Sequence, residues 1–280
     1  MKIEKNIILE RTHKKSILID TFYSKDKTNQ PVVIFCHGYK GYKDWGAWNI
    51  MAEQIAKAGN CFIKFNFSHN GGTIENPIDF PDLDAFGNNN YTKELSDLGD
   101  VIDWAQCQFK ENPQIDNNKI ILFGHSRGGG IAILKAAQDN KVTKLITLAS
   151  VSDFGIRFGS EEEIKIWKED GVKYVLNGRT KQKMPHFYQF YEDFLSNKKQ
   201  LHIETALRQL KIPLLIIHGD NDTSVSINEA TNLHKWNKNS QLKIIEGADH
   251  VFNTRHPWDM DKLSYELNKV TDLLIDFCAK

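Results

Sequence analysis

The residues best placed to do chemistry surround Ser126, in the stretch Gly124-His125-Ser126-Arg127-Gly128. This stretch follows the apolar run KIIL and precedes the helical pattern IAILKAA. A serine at a sharp turn between a buried strand and a helix holds its hydroxyl clear of the sheet, and flanking glycines avoid a backbone clash. The turn also places the Arg127 N–H at a helix N-terminus, where negative charge is stabilised. The stretch therefore predicts a serine nucleophile for acyl transfer.

Two other interpretations of this stretch are a plain glycine-rich connection and a phosphate-binding loop. The GxxxxGK[ST] spacing of a phosphate loop is absent. The glycine turn stays open on the motif alone. A serine nucleophile also needs a base and an acid that orients the base, so the rest of the chain must supply both.

A carboxylate and a histidine follow two later apolar runs. PLLIIHG is followed by Asp220 and Asp222, and QLKIIEG is followed by Asp249 and His250. Ligand sites in such sheets lie beyond the carboxyl ends of the strands, so these side chains are expected near Ser126. The chain order serine, acid, histidine predicts that Ser126, Asp222 and His250 form a catalytic triad.

Other titratable residues compete for these roles. We interpret Asp220, which comes directly off the strand, as holding the turn, and Asp249 as capping its loop. His125 is beside the predicted nucleophile in sequence, but its side chain is expected to point into the fold. His250 is favoured as the base because it follows the last apolar run.

The loop after PVVIFC, with the sequence HGYKG, is predicted to complete an oxyanion hole. Gly38 allows a tight turn that leaves the Tyr39 N–H free, so the Tyr39 and Arg127 N–H groups would bind one oxygen. Further residues in this loop and in the loop after CFIKFNF are predicted to bind substrate. They are His37, Gly38, Trp45 and His69.

The elements that must position these residues alternate between apolar runs and helical patterns. Paired strands are expected in NIILE and SILIDTFYS, and core strands in PVVIFCHG, CFIKFNF, KIILFG, KLITLAS, PLLIIHGD and QLKIIEG. This alternation predicts an α/β fold with a mostly parallel twisted sheet and helices on both faces. Residues 152–204 break the rhythm. We expect them to form a helical lid inserted into one domain made of residues 1–151 and 205–280.

Composition narrows the classes of partner. Lys+Arg and Asp+Glu are both 36, so the net charge is zero, and no apolar run reaches membrane-spanning length. No nucleic-acid or membrane partner is expected. The four cysteines are scattered and the N-terminus lacks a long apolar segment, which predicts a cytoplasmic protein. No metal or cofactor is expected, and the pattern does not indicate an oligomeric state.

The motifs HGYKG, GHSRG, HGDNDTSV and ADHVF occur in the order found in the α/β-hydrolase family, which the chain resembles over nearly its whole length. Within that family it is similar to small bacterial esterases and to the dienelactone-hydrolase and serine-peptidase-like branches. The resemblance implies Ser126 as nucleophile, His250 as base, Asp222 as acid, and the N–H groups of Tyr39 and Arg127 as the oxyanion hole.

The sequence departs from the family pattern at two places. Ser226 stands where many members have proline after the acid loop, which is not expected to matter. The HGGG loop of lipase-like esterases is absent, which argues against bulky triglyceride substrates.

The expected activity is hydrolysis of a carboxylic ester with a small or medium acyl group, through an acyl-enzyme. The same residues would serve an aminopeptidase-like serine peptidase or amidase, with the acidic run Glu161–Glu163 as a possible subsite, although such a run is typical of a solvated helix start. Haloperoxidase and C–C bond hydrolysis also stay open. A non-catalytic binding relative is disfavoured because no triad member is missing. Lys40 and Lys43 are expected to be solvated.

Overall fold

Strands and helices alternate along most of the chain, as the sequence pattern predicts. The computed structural model describes residues 1–280. Its ten strands are β1 (Lys2–Leu9), β2 (Ile17–Tyr23), β3 (Gln30–Cys36), β4 (Cys61–Phe65), β5 (Ile115–His125), β6 (Val142–Leu148), β7 (Val172–Leu176), β8 (Lys183–Phe187), β9 (Leu214–Gly219) and β10 (Gln241–Ile245). Its nine α-helices are α1 (Trp48–Ala58), α2 (Leu83–Gly87), α3 (Tyr91–Gln108), α4 (Arg127–Gln138), α5 (Glu161–Asp170), α6 (Gln189–Ser196), α7 (Ile203–Gln209), α8 (Ile227–Trp236) and α9 (Tyr265–Ala279).

Eight of the strands form one central sheet in the order β1-β2-β4-β3-β5-β6-β9-β10. The pairs β1–β2 and β2–β4 are antiparallel, and every other pair in this sheet is parallel. The predicted α/β class with a mostly parallel sheet is therefore confirmed. Parallel strands place their carboxyl ends at one edge, so the loops after β3, β5, β9 and β10 meet there.

Helices cover both faces of the sheet. Successive side chains of a strand point to opposite faces, so the apolar strands give both faces an apolar surface that must be buried. Val32 and Ile34 of β3 pack into a core shared with helices α3, α4, α7 and α8. Val33 and Phe35 face the other side and pack with α1 and α9. These two apolar layers hold the sheet in place and thereby fix the positions of the loops at the strand ends.

Residues 152–204 form a separate set of short elements that follows β6 and ends in the first turn of α7. A 3₁₀ turn at Gly155–Arg157 leads to α5, whose start is capped by reciprocal hydrogen bonds between Ser160 and Glu163. The strands β7 and β8 then pair only with each other, and α6 follows. The sequence pattern indicated helices here but not this hairpin, because β7 is largely exposed and lacks the apolar signature of a core strand.

Aromatic contacts attach this segment to the rest of the molecule. The Phe154 ring stacks on the Tyr91 ring of α3 with 3.9 Å between centroids. A Cβ at Gly87 would come within 2.8 Å of the Phe187 ring, so α2 approaches β8 closely. None of the nine helices combines the length and apolar character that crossing a membrane requires.

Candidate active site

Ser126 occupies the one-residue turn between β5 and α4. Its φ is 56° and its ψ is −123°, a backbone conformation that a non-glycine residue seldom adopts and that is common at functional sites. A Cβ at Gly124 would overlap the Gly128 carbonyl, and a Cβ at Gly128 would overlap the Cys36 carbonyl. Both glycines are therefore needed for the turn to pack against β3.

Three side chains form a continuous hydrogen-bonded chain at the edge of the sheet. Ser126 Oγ lies 3.1 Å from His250 Nε2, and His250 Nδ1 lies 2.7 Å from Asp222 Oδ2. The carboxylate accepts from Nδ1–H, which leaves Nε2 free to accept from the serine hydroxyl. The geometry thus suits proton transfer from Ser126 to His250.

The Asp222 carboxylate is fully enclosed and well supplied with donors. Its Oδ1 accepts the N–H groups of Ser224 and Val225, each at 2.8 Å, and His218 Nε2 lies 3.3 Å from Oδ2. Burial by itself would raise the pKa of Asp222, but hydrogen bonds from His218 and His250 outweigh it and hold the pKa below its ordinary value. Asp222 is therefore an anion that can orient and stabilise the imidazole.

The competing acids contact other groups. Asp220 Oδ1 accepts the Gly247 N–H at 2.7 Å, which ties the loop after β9 to the loop after β10. Asp249 Oδ1 accepts the N–H groups of Val251 and Asn253. Both therefore hold their loops, as expected from the sequence.

Two backbone N–H groups beside Ser126 have no partner within their own elements. The Tyr39 N–H donates no hydrogen bond in the structure. Arg127 is the first residue of α4, so its N–H has no acceptor inside the helix. The loop reaches Ser126 because Gly38 packs directly against it. Both N–H groups are therefore available to an acceptor beside Ser126.

A cavity of about 400 Å³ opens onto Ser126 and His250. Its walls include Tyr39 and Tyr91 from the sheet side. Residues of the 152–204 segment close the opposite side, and among them Phe158, Trp167 and Phe190 are aromatic. The segment therefore lies over the serine.

Of the residues predicted to bind substrate, none lines this cavity. His37 is buried, donates to the Gly38 carbonyl through Nδ1 and accepts the Phe67 N–H through Nε2. His69 contacts Ser68. The Trp45 ring packs against Trp48 and His256 instead, and Gly38 supports the turn beside Ser126. These side chains build the loops around the cavity, and their contact with a substrate stays a prediction.

Two further side chains differ from, or add to, the sequence interpretation. Lys43 is buried, not solvated, and its ammonium lies 2.9 Å from Asp20. The side chain of Arg127, considered from the sequence only for its backbone N–H, lines the cavity. Only its position directly after Ser126 could have drawn attention to it.

His125 points into the fold as expected. Its Nε2–H donates to the His250 carbonyl at 2.9 Å, so it supports the backbone of the loop that carries the predicted base. Burial, together with the nearby His250, lowers the pKa of His125 to about 3, so the ring is neutral.

The sheet order, the serine turn and the loops at the strand ends define an α/β-hydrolase. The structure superposes on Est1E from Butyrivibrio proteoclasticus with a TM-score of 0.71 and 18% identity, over 99% of this chain and 98% of that one. A model of the prolyl oligopeptidase family matches residues 84–268, which include Ser126, Asp222 and His250. The chain belongs to the prolyl oligopeptidase family.

Relatives in sequence carry the names of different hydrolases. An uncharacterised peptidase of Bacillus subtilis is 26% identical over 119 residues, which are 42% of this chain and only 40% of that protein. The monoacylglycerol lipase ABHD6 of Bos taurus is 21% identical over 90% of this chain and 76% of that protein. The chain is thus similar in sequence to proteins named as a peptidase and as a lipase.

Proposed function

We propose that the protein is a serine hydrolase that cleaves a carboxylic ester with a small or medium acyl group. The hydrogen-bonded chain from Ser126 through His250 to Asp222 is the observation that carries this proposal. It joins a nucleophile, a base and an ionised acid in the order that acyl transfer requires. Ser126 is then the nucleophile, His250 the general base and Asp222 the orienting acid.

The first half of the reaction acylates the serine. The Ser126 hydroxyl proton moves to His250 Nε2 while Oγ bonds to the ester carbonyl carbon, and the carbonyl electrons move to its oxygen. The N–H groups of Tyr39 and Arg127 stabilise that oxyanion. When the carbonyl re-forms, the bond to the alcohol oxygen breaks and His250 returns the proton to it. Water attacks the acyl-enzyme by the same steps and frees the acid.

The size of the cavity supports a small or medium acyl group. A cavity of about 400 Å³ is at the lower end of the range for small-molecule sites, and its aromatic walls suit an apolar chain or ring. We also propose that residues 152–204 act as a lid on one domain, since Phe158, Trp167 and Phe190 cover the serine from that segment. A lid would exclude water from the acyl-enzyme until the alcohol leaves.

A serine peptidase or amidase with the same triad is the second candidate, because the chain belongs to a peptidase family and a named peptidase is among its relatives. An aminopeptidase would need a carboxylate to bind the substrate ammonium. Glu161–Glu163 are exposed on α5, and no Asp or Glu side chain lines the cavity. The lining therefore favours the ester over a peptide with a free N-terminus.

The test is hydrolysis of p-nitrophenyl esters of increasing acyl length, with aminoacyl p-nitroanilides in parallel. We expect ester turnover with an optimum at a short or medium chain, and its loss in a folded Ser126→Ala variant. Faster cleavage of the anilides would favour the peptidase. Ester turnover that persists in Ser126→Ala would contradict the assignment of the nucleophile.

A further inference from the structure

The charged lining of the cavity around Ser126 is all of one sign. Four basic residues line it: Lys40, Arg127, Arg157 and Lys173. No carboxylate side chain does, although the whole chain carries equal numbers of acidic and basic residues. The positive lining is therefore a local property of this cavity and not the result of a basic protein surface.

Arg127 holds its charge in a setting that only partly neutralises it. The only hydrogen bond of the Arg127 side chain joins one guanidinium nitrogen to a Glu94 carboxylate oxygen at 3.5 Å, which is long. Three rings surround the guanidinium: Tyr39 at 4.4 Å, Phe190 at 5.3 Å and Tyr91 at 5.4 Å. These faces fix the orientation of the planar group, while its other nitrogens have no acceptor in the protein.

Neither lysine of the lining forms an ion pair with a carboxylate. Lys40 forms no ion pair, and its ammonium lies 5.1 Å from the Tyr39 ring centroid. Lys173 donates to the Phe158 carbonyl at 3.3 Å and lies 3.9 Å from the Trp167 ring centroid. Burial lowers the pKa of both lysines. The charge of Arg127 lowers the pKa of Lys40 further, whereas the charge of Glu163 partly offsets the effect of burial on the pKa of Lys173. Arg157 differs, because it pairs with Glu229.

We propose that the substrate of this cavity is an ester that also carries a free carboxylate, bound by Arg127 with Lys40 and Lys173. A guanidinium fixed by aromatic faces matches the two oxygens of a carboxylate, and the same anion relieves the repulsion between Arg127 and Lys40. The inference rests on the proposed function in that the cavity opens onto Ser126. It narrows the substrate class to monoesters of short dicarboxylic acids.

Two matched esters test this directly. Monomethyl glutarate and methyl pentanoate differ only in a terminal carboxylate or methyl group. We expect the native protein to hydrolyse the charged ester with a kcat/KM at least about tenfold higher at low ionic strength, as a charge-assisted hydrogen bond would give. The ratio should fall as salt is raised, because part of the attraction is screened.

Variants separate the lining charges from general damage, because the ratio of the two kcat/KM values is measured within each protein. Arg127→Gln and Lys173→Gln should each lower the ratio several-fold. Lys165→Gln removes the same charge from an exposed position on α5 and should leave the ratio unchanged. An unchanged ratio in both lining variants would overturn the inference.

Binding to Ser126→Ala, measured by calorimetry, distinguishes this inference from the proposed function. Selective binding of monomethyl glutarate with no hydrolysis by the native protein would uphold the carboxylate site and refute the ester hydrolase. Serine-dependent hydrolysis of both esters at equal rates would uphold the hydrolase and refute the carboxylate site. Equal or undetectable binding of the two esters would also refute the carboxylate site.

Discussion

Gly38 lies so close to Ser126 that a Cβ at position 38 would come within 2.8 Å of the serine Cβ. The same Cβ would lie 3.2 Å from the His125 carbonyl oxygen. The loop after β3 and the turn after β5 are thus packed backbone to backbone. This contact places Tyr39, the residue after Gly38, beside the turn that Arg127 follows.

Gly38→Ala is therefore expected to lower kcat by roughly 10²-fold, the cost of losing one oxyanion donor, by pushing the loop away from Ser126. KM should change less than kcat, because the donor acts mainly on the transition state. Gly178→Ala is the matched control, since a Cβ there meets nothing within 4 Å. Equal activity of the two variants in the p-nitrophenyl ester assay would count against the oxyanion assignment.

Asp222→Asn is expected to reduce kcat by about 10³–10⁴-fold, because the neutral amide no longer fixes the His250 tautomer or stabilises the imidazolium. Asp220→Asn tests the competing acid two residues away, which contacts the Gly247 N–H and not His250. Its kcat should stay within about fivefold of native, as expected for a turn residue. The reverse order of the two effects would transfer the role of acid to Asp220.

Trp167→Leu should shift the preferred acyl chain of p-nitrophenyl esters to greater length. Trp167 is buried, lines the cavity and donates to the His186 carbonyl at 2.7 Å, so a smaller side chain opens space opposite Ser126. A stability loss of about 3 kcal/mol is expected from the lost packing. Ile166→Ala, on the exposed side of α5, is the control. If the preferred acyl chain length is the same in Trp167→Leu as in the native protein, the acyl group does not lie against Trp167.

Buried neutral histidines, among them His37 and His125, make the stability of the protein depend on pH. Burial lowers the pKa of His37 to about 4 and of His125 to about 3, so the unfolded chain binds their protons first as pH falls below about 6.5. The unfolded state then holds more protons than the folded state. The free energy of unfolding therefore decreases as the pH is lowered, by up to about 1.4 kcal/mol per pH unit for each histidine.

Urea unfolding of native protein and His125→Gln between pH 7 and 5 checks this dependence. The glutamine amide can still donate to the His250 carbonyl but does not titrate, so the slope of unfolding free energy against pH should be shallower. His13→Gln, at an exposed position, should keep the native slope. If His125→Gln keeps the native slope as well, His125 is not the group that titrates.

Lys64→Met is expected to destabilise the protein by about 3–5 kcal/mol. Lys64 is fully buried and lies 2.6 Å from both Asp20 and Asp44, so its loss leaves two carboxylates short of a buried partner. The exposed Lys57, which pairs with Glu53 at 3.9 Å, provides the control, and Lys57→Met should change stability by less than about 0.5 kcal/mol. Similar urea midpoints for both variants would show that the buried ion cluster contributes little.

The sequence by itself determined the sheet and the order of the residues at its edge. The alternation of apolar runs and helical patterns is a local property of the sequence. The glycines around Ser126 indicate a tight turn, because larger residues would not fit there. Asp222 and His250 are predicted from sequence because each lies in the loop after a strand, and parallel strands end at one edge. The catalytic roles of these residues stay a proposal for the kinetic experiments.

Only the tertiary structure decided which side chains face the cavity. His37 and Trp45 belong to the loop after β3, but their side chains contact other protein groups and do not face the cavity. Arg127 and Lys173 come from different parts of the chain and both line the cavity. Lys43 is buried because Asp20, distant in sequence, supplies its counter-ion. The sequence does not predict the hairpin of β7 and β8, because β7 is mostly exposed and pairs only with β8. Side-chain direction and burial depend on contacts between distant segments, and no local pattern of residues encodes those contacts.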